Sequence, residues 1–230
     1  MCLILLAWHA HPRFPLVVAA NRDEFHARAS ASAEFWGDRP RVLAGRDLEA
    51  GGTWLGISRE GRFAAVTNYR GGRDARALES RGMLVTRFLA EAVSAPAYAA
   101  DVARRAGAYS GYNLLACDGE ELWWHSNRSD EPAGAPRRLA PGIYGLGNLL
   151  LDSPEVEDHR ARFARTIDPA PSIEPLFATL AAAKIVAPQY GTRCSTVICA
   201  DAQRRVQFAE RAYDAEGAQA ETLRYEFTAA

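Results

Sequence analysis

Leu16-Val17-Val18-Ala19-Ala20-Asn21-Arg22-Asp23-Glu24 sets an apolar run directly against four polar residues. The apolar half reads as a β-strand. The polar half reads as a turn at the strand's end, where a rigid scaffold commonly presents binding and catalytic groups. Asp23 suits a residue that orients a base or holds an amine, and Arg22 suits forked pairing with a carboxylate or phosphate. A solvated turn capped by Asn21 and Asp23 is the plainer alternative.

Upstream, residues 2–8 are also apolar and strand-like, and residues 9–15 carry Pro12 and Pro15, so the chain opens with a hairpin. Cys2 stands at its start. If Met1 is removed, one residue carries both a thiol and a free α-amine, a nucleophile with its own general base; a retained Met1 blocks that chemistry. The alternative for Cys2 is ordinary packing in a strand. His9 and His11, two apart at the strand's end, share a face in an ideal strand and are the candidate haem ligands, against a reading as turn histidines beside Pro12.

Downstream, strands are expected over 53–58 and 62–68, with Gly51-Gly52 ahead of them, and over 112–117 and 121–125 around an Asp118-Gly119 turn. Further strands are expected over 143–148, 193–199, 204–213 and 223–227. Helical spacing runs from Ser80 to Val93, resumes after Ser94 with Pro96 in the first turn, and recurs over 153–167 and 173–184. Strands, helices, strands, helices, strands is the order of sheets stacked between helical layers, not of an alternating βα fold.

The length suits a single domain over 1–230. A net charge of -1 leaves no basic surplus for neutralising phosphates, so a nucleic-acid partner is not expected. Cys2, Cys117, Cys194 and Cys199 match no zinc or disulfide spacing, and Cys194 and Cys199 should face opposite sides of one strand. Residues 2–8 lack the basic flank of a signal peptide and the length of a membrane span. A cytoplasmic protein without an integral membrane segment is expected.

Met1-Cys2, Ala19-Ala20-Asn21-Arg22-Asp23-Glu24, Gly51-Gly52-Thr53-Trp54-Leu55-Gly56, Val66-Thr67-Asn68-Tyr69-Arg70, Gly145-Leu146-Gly147-Asn148 and Tyr190-Gly191-Thr192-Arg193 follow one another in an order that resembles the NRDE protein family, the family of the transport and Golgi organisation protein. The resemblance implies an α+β, four-layer αββα fold like that of the N-terminal nucleophile hydrolases, relatives of bile-salt hydrolases and penicillin acylases. It implies Cys2 as nucleophile, Asp23 as the aspartate that contacts an amine, and Asn68 and Asn148 as oxyanion donors, gathered in one pocket. Those hydrolases carry an arginine directly before the turn's asparagine, whereas this chain has Ala20 there and Arg22 after it.

The same resemblance implies handling of an amphipathic metabolite, haem first and an acyl-CoA-type lipid second, with no cofactor required. Asn21, Arg22, Glu24, Trp54, Arg70 and Arg193 are the candidate ligand contacts. A carrier is therefore expected ahead of its alternative, a Cys2-dependent amidohydrolase acting on non-peptide amides.

Overall fold

The computed structural model describes residues 2–71, 74, 77–129 and 134–230. Met1, on which the free-amine expectation turns, lies outside the described residues. The chain forms two compact units, one from the residues up to Arg28 with Pro141–Gly147 and Leu151–Ala229, the other from Ala29–Ala140 with Asn148–Leu150 and Ala230.

The first unit holds an antiparallel sheet ordered β10-β1-β2-β11-β12-β13, from β1 (Leu3–His11), β2 (Phe14–Phe25), β10 (Gly142–Leu146), β11 (Tyr190–Ala200), β12 (Arg205–Tyr213) and β13 (Gln219–Thr228). Helices α3 (Glu157–Ile167) and α4 (Ile173–Ala181) cover one face. Ile173, Leu176, Phe177 and Leu180 recur at helical spacing on α4 and pack with Phe163 and Ile167 of α3 onto Leu3, Leu5, Ala7, Val17, Ala19 and Val197. Each fully buried Phe or Leu in that layer stabilises the unit by about 2 kcal/mol.

The second unit holds an antiparallel sheet in sequential order, from β3 (Ser30–Phe35), β4 (Val42–Asp47), β5 (Leu55–Ser58), β6 (Phe63–Asn68), β7 (Tyr112–Cys117), β8 (Leu122–Ser126) and β9 (Arg137–Leu139). Helices α1 (Gly82–Ala90) and α2 (Ala95–Arg104) pack on it through Leu84, Val85, Phe88, Leu89, Tyr98 and Val102. Gly51 takes a φ of 75°, and a Cβ on Gly52 would sit 2.7 Å from the main chain of Gly82, so the glycine pair admits the start of α1. Among the described residues no helix is long and apolar enough to cross a membrane.

The α+β class and the antiparallel sheets agree with expectation, and several boundaries do not. The 9–15 connection shrinks to Pro12-Arg13, since β1 runs on to His11 and β2 begins at Phe14. β3 and β4 were hidden in a stretch of small polar residues; there Trp36 donates from Nε1 to Ala44 O at 2.8 Å and Arg46 stacks 4.4 Å over its ring, tertiary contacts with no local signal. β10 ends at Leu146, which leaves Asn148 beyond the strand.

The largest correction concerns 21–24. These residues are no turn; they lie inside β2, paired with β1 at Leu3↔Asn21 and with β11 at Glu24↔Gly191, Asp23↔Thr192, Arg22↔Cys194 and Asn21↔Ser195. Both ladders extend the strand through polar residues because each backbone group there finds a partner. Alternation then sends Asn21 and Asp23 toward α4 and Arg22 to the opposite face.

Candidate functional site

β2 distributes its polar residues into unlike environments. Asn21 is fully buried; its Nδ2 donates to Leu180 O at 3.0 Å and its Oδ1 accepts the Ser195 hydroxyl at 2.6 Å. Leu180 lies in the last turn of α4, where its carbonyl accepts Ala183 N–H at 3.0 Å as well as the Asn21 amide, so Asn21 ties that helix end to the sheet. Its amide is a strut and not a group presented to a ligand.

Asp23 is nearly as buried, at 4% exposure, and its Oδ1 accepts the Thr192 hydroxyl at 2.6 Å. Thr192 Oγ1 in turn accepts Ile185 N–H at 2.9 Å, so one hydroxyl relays between the 185 segment and the carboxyl group. Burial raises the Asp23 carboxyl above its usual range, and the Thr192 hydrogen bond offsets only part of that.

Cys2 precedes β1 and lies one residue beyond the Leu3–Asn21 pair, beside Arg22. Its thiol donates to Asp23 O at 3.3 Å and accepts Asp23 N–H at 3.4 Å. Burial pushes the thiol up to about 11, helped by the neighbouring Asp23 carboxylate and opposed by the backbone hydrogen bond and Arg22. At neutral pH the sulfur holds its proton, unlike the lowered thiols of activated cysteines.

Arg22 has a side chain only 11% exposed, and its nearest acid is Glu24 Oε2, 3.9 Å away. Among the described residues its guanidinium makes no hydrogen bond. Glu24 is shared with Arg28 at 3.8 Å and accepts Phe25 N–H at 2.9 Å. Arg193 donates to the carbonyls of Phe25, His26 and Arg28 at 3.0 to 3.3 Å, and thereby clamps the segment that leaves β2.

In the second unit, Asn148 Nδ2 donates to Asn68 O at 2.7 Å, and Arg70 N–H returns to Asn148 O at 2.7 Å. The buried Asn113 holds the next residue, donating to Leu149 O at 2.8 Å. The two asparagines expected as oxyanion donors thus meet each other through side chain and main chain. Trp54 is partly buried and packs against the second unit's core.

The histidines differ from expectation. The ladder shifts register between Trp8 and His11 and His9 takes a φ of 44°, so simple alternation does not hold there. His11 uses both ring nitrogens, Nε2 with Pro169 O at 2.9 Å and Nδ1 with Arg13 N–H at 3.2 Å. His9 packs its ring edge-on against Trp8.

Sequence reasoning did not single out Tyr190, Thr192 or Ser195, although the first two stand in a motif it quoted. Tyr190 Oη donates to Asp23 O at 3.2 Å, so three residues converge on one carboxyl-bearing residue of β2. A Cβ on Gly191 would lie 2.9 Å from Ile185 O and 3.1 Å from the His26 ring, which explains the glycine between the two hydroxyl residues. The available signal was the motif's position on a late strand; its register with 21–24 was not legible.

Residues 1–188 match the family model described as Transport and Golgi organisation 2. A human Transport and Golgi organization protein 2 homolog is 36% identical, with 99% of this chain and 99% of the relative covered. The Drosophila melanogaster Transport and Golgi organization protein 2 is 30% identical over 67% of this chain and 60% of its own length. Among solved structures, a Caenorhabditis elegans N-acylethanolamine-hydrolyzing acid amidase ortholog superposes with a TM-score of 0.54 at 9% identity, over 86% of this chain and 92% of that one. That likeness shows a shared N-terminal nucleophile hydrolase-like fold.

Proposed function

The chain belongs to the Transport and Golgi organisation 2 family, and from that premise we propose that it is a cytoplasmic carrier of an anionic amphipathic metabolite, haem or an acyl-CoA-type lipid, with Arg22 receiving the acidic end beside Cys2. Arg22 is the observation that carries this reading. A guanidinium offers five N–H donors, and one held at 11% exposure with a single ion pair to Glu24 at 3.9 Å and no hydrogen bond among the described residues is incompletely satisfied. A carboxylate or phosphate completes it through forked hydrogen bonds. Haem propionates and the phosphates of an acyl-CoA both supply such groups.

The raised thiol of Cys2 favours binding over cleavage, since a protonated sulfur is a poor nucleophile. Haem held through its propionates needs no histidine on iron. Of the two expected ligands, His9 is the more available, because both ring nitrogens of His11 are engaged. Titration of the purified chain with hemin and with palmitoyl-CoA tests the proposal. Saturable binding is expected, weakened by salt and by Arg22→Gln about tenfold or more. Wild-type protein that binds neither, at low salt, would sink the carrier.

The second reading, a Cys2-dependent amidohydrolase, draws on the contact of the Cys2 thiol with Asp23 and on the acid amidase that shares the fold. Sulfur would attack the amide carbon as the thiol proton passes to the departing amine, and water would then cleave the thioester to the free acid and restore the thiol. Asn68 and Asn148 enter as oxyanion donors, and replacing either by alanine should lower turnover by about 100-fold. Mass spectrometry after incubation with N-acyl amides would show a thioester on Cys2; its absence, with no amine released, rejects this alternative. The four-layer αββα arrangement expected from the resemblance is likewise a proposal, for a solved structure to test.

A further inference from the structure

Arg22 shares its face of the first unit's sheet with a buried acid that the site described above does not use. The register sets Arg22 opposite Cys194 and Thr196 opposite Glu210, and alternation along β11 keeps Cys194 and Thr196 on one side, so all four side chains project from the same face. The intervening residues of β11 project from the other face, where Ser195 meets Asn21 and where Val197 and Cys199 pack in the α3–α4 core. Glu210 is buried and accepts the Thr196 hydroxyl, itself buried, on Oε2 at 3.4 Å.

Cys194 stands between the two charges. It pairs with Arg22 on β2 and lies two positions before Thr196, the residue that binds Glu210. Burial raises the Cys194 thiol far above its ordinary value, the Glu210 charge raises it further and the Arg22 charge opposes both, so the acid and the base are both felt at this sulfur. Cys2 flanks Arg22 on its other side. Glu24, two residues along β2 on the same face, is shared between Arg22 and Arg28, which offsets its charge. An anion that pairs with the Arg22 guanidinium therefore sits beside protonated thiols and within the field of the Glu210 carboxylate.

We propose, resting on the carrier reading above, that Glu210 is the specificity-determining residue of the Arg22 head site and restricts it to a singly charged head, a carboxylate or a sulfate ester, against a phosphate monoester with two charges. One guanidinium neutralises one charge. A second negative charge is left facing Glu210 across Cys194, in surroundings where burial weakens solvent screening, and like charges so placed repel. Arg22 supplies the attraction and Glu210 the discrimination. Of the acidic heads the carrier reading allows, the carboxylate is then the one the site keeps.

The test uses the full chain with octyl sulfate and octyl phosphate, each below its micellar concentration, followed by isothermal titration at about pH 8, where the sulfate carries one charge and the phosphate close to two. Equal tails leave the head as the difference. Wild type is expected to bind octyl sulfate about tenfold tighter than octyl phosphate, the size of one partly screened like-charge contact. Glu210→Gln, which keeps the shape and removes the charge, should bring that ratio to about one or below by tightening the phosphate. Arg22→Gln should weaken both probes.

A wild-type protein that binds the phosphate as tightly as the sulfate, through Arg22, overturns the proposal and leaves the carrier standing. A ratio unchanged in Glu210→Gln overturns it as well, and so does a preference that Glu24→Gln abolishes in its place. If neither probe binds wild type, the carrier itself fails and this proposal with it. Should Glu210→Gln not fold, wild type and Glu24→Gln decide at varied pH: the sulfate preference has to grow in both as pH rises from about 5 to about 8 and the phosphate gains its second charge, and a flat ratio overturns the proposal.

Discussion

The Cys2 sulfur lies 3.3 Å from the carbonyl oxygen of Asp23 and 3.4 Å from its amide nitrogen, so the thiol bonds to the backbone of the residue whose carboxylate also raises its proton affinity. A thiol held up to about 11 should alkylate slowly at pH 8. Iodoacetamide labelling followed by peptide mapping is expected to show Cys2 reacting faster only as pH rises through 10 and beyond. Rapid labelling at neutral pH would mean that the thiolate forms there and would revive the nucleophile.

Asn21 and Arg22 are neighbours with opposite expected effects. Asn21→Ala removes two buried hydrogen bonds from the first unit, leaving Leu180 O to Ala183 N–H and the Ser195 hydroxyl to Tyr213 Oη, at a cost of about 2 kcal/mol. Arg22→Gln removes a side chain without a protein hydrogen bond among the described residues, and should change stability by under about 0.5 kcal/mol. Urea melts of the two variants separate them, and similar losses would show that Arg22 is structural.

Burial raises the Asp23 carboxyl above its ordinary 3.8. A group whose folded pKa is raised holds its proton more tightly in the folded chain, so its contribution is full below the ordinary value and is lost as pH rises through the folded one. Wild type should therefore lose stability relative to Asp23→Asn as pH climbs from about 4 upward. Paired thermal melts across that range measure the difference, and parallel curves would refute it. Cys2 has the same sign at alkaline pH, between 9 and about 11.

Asp118 couples a turn to a helix. Its Oδ1 accepts the amides of Glu120 and Glu121, and its Oδ2 accepts Ala95 N–H at 2.6 Å, at the start of α2, where Ser94 makes no side-chain cap. Asp118→Ala is expected to cost about 2 kcal/mol, and Asp118→Asn less. Hydrogen exchange should show the loss as faster exchange at the Ala95 and Glu121 amides; unchanged protection there would contradict the coupling.

Local chemistry determined much of this protein without the fold. Asp118-Gly119 marks the β7–β8 hairpin because few residues accept that turn's backbone angles, and Gly119 does take a φ of 97°. Apolar spacing placed α1, α2, α3 and α4 within a few residues, and the ordered motifs pointed to the family and the fold class. Even the parity of Cys194 and Cys199 held, with Cys199 packed in the α3–α4 core.

The meaning of 21–24 was decided only by tertiary structure. Four polar residues after an apolar run resemble a turn to any local reading, because short polar side chains compete with the backbone for hydrogen bonds. What keeps them in a strand lies far along the chain: Asn21 binds Ser195 across 174 positions, Asp23 binds Thr192 across 169, and Leu180 O waits across 159. Those partners remove the competition by satisfying Asn21 and Asp23 on one face. Alternation then leaves Arg22 on the other, incompletely satisfied beside a protonated thiol. Residue types are carried by the sequence, but hydrogen-bond satisfaction is a property of neighbours that only folding brings together.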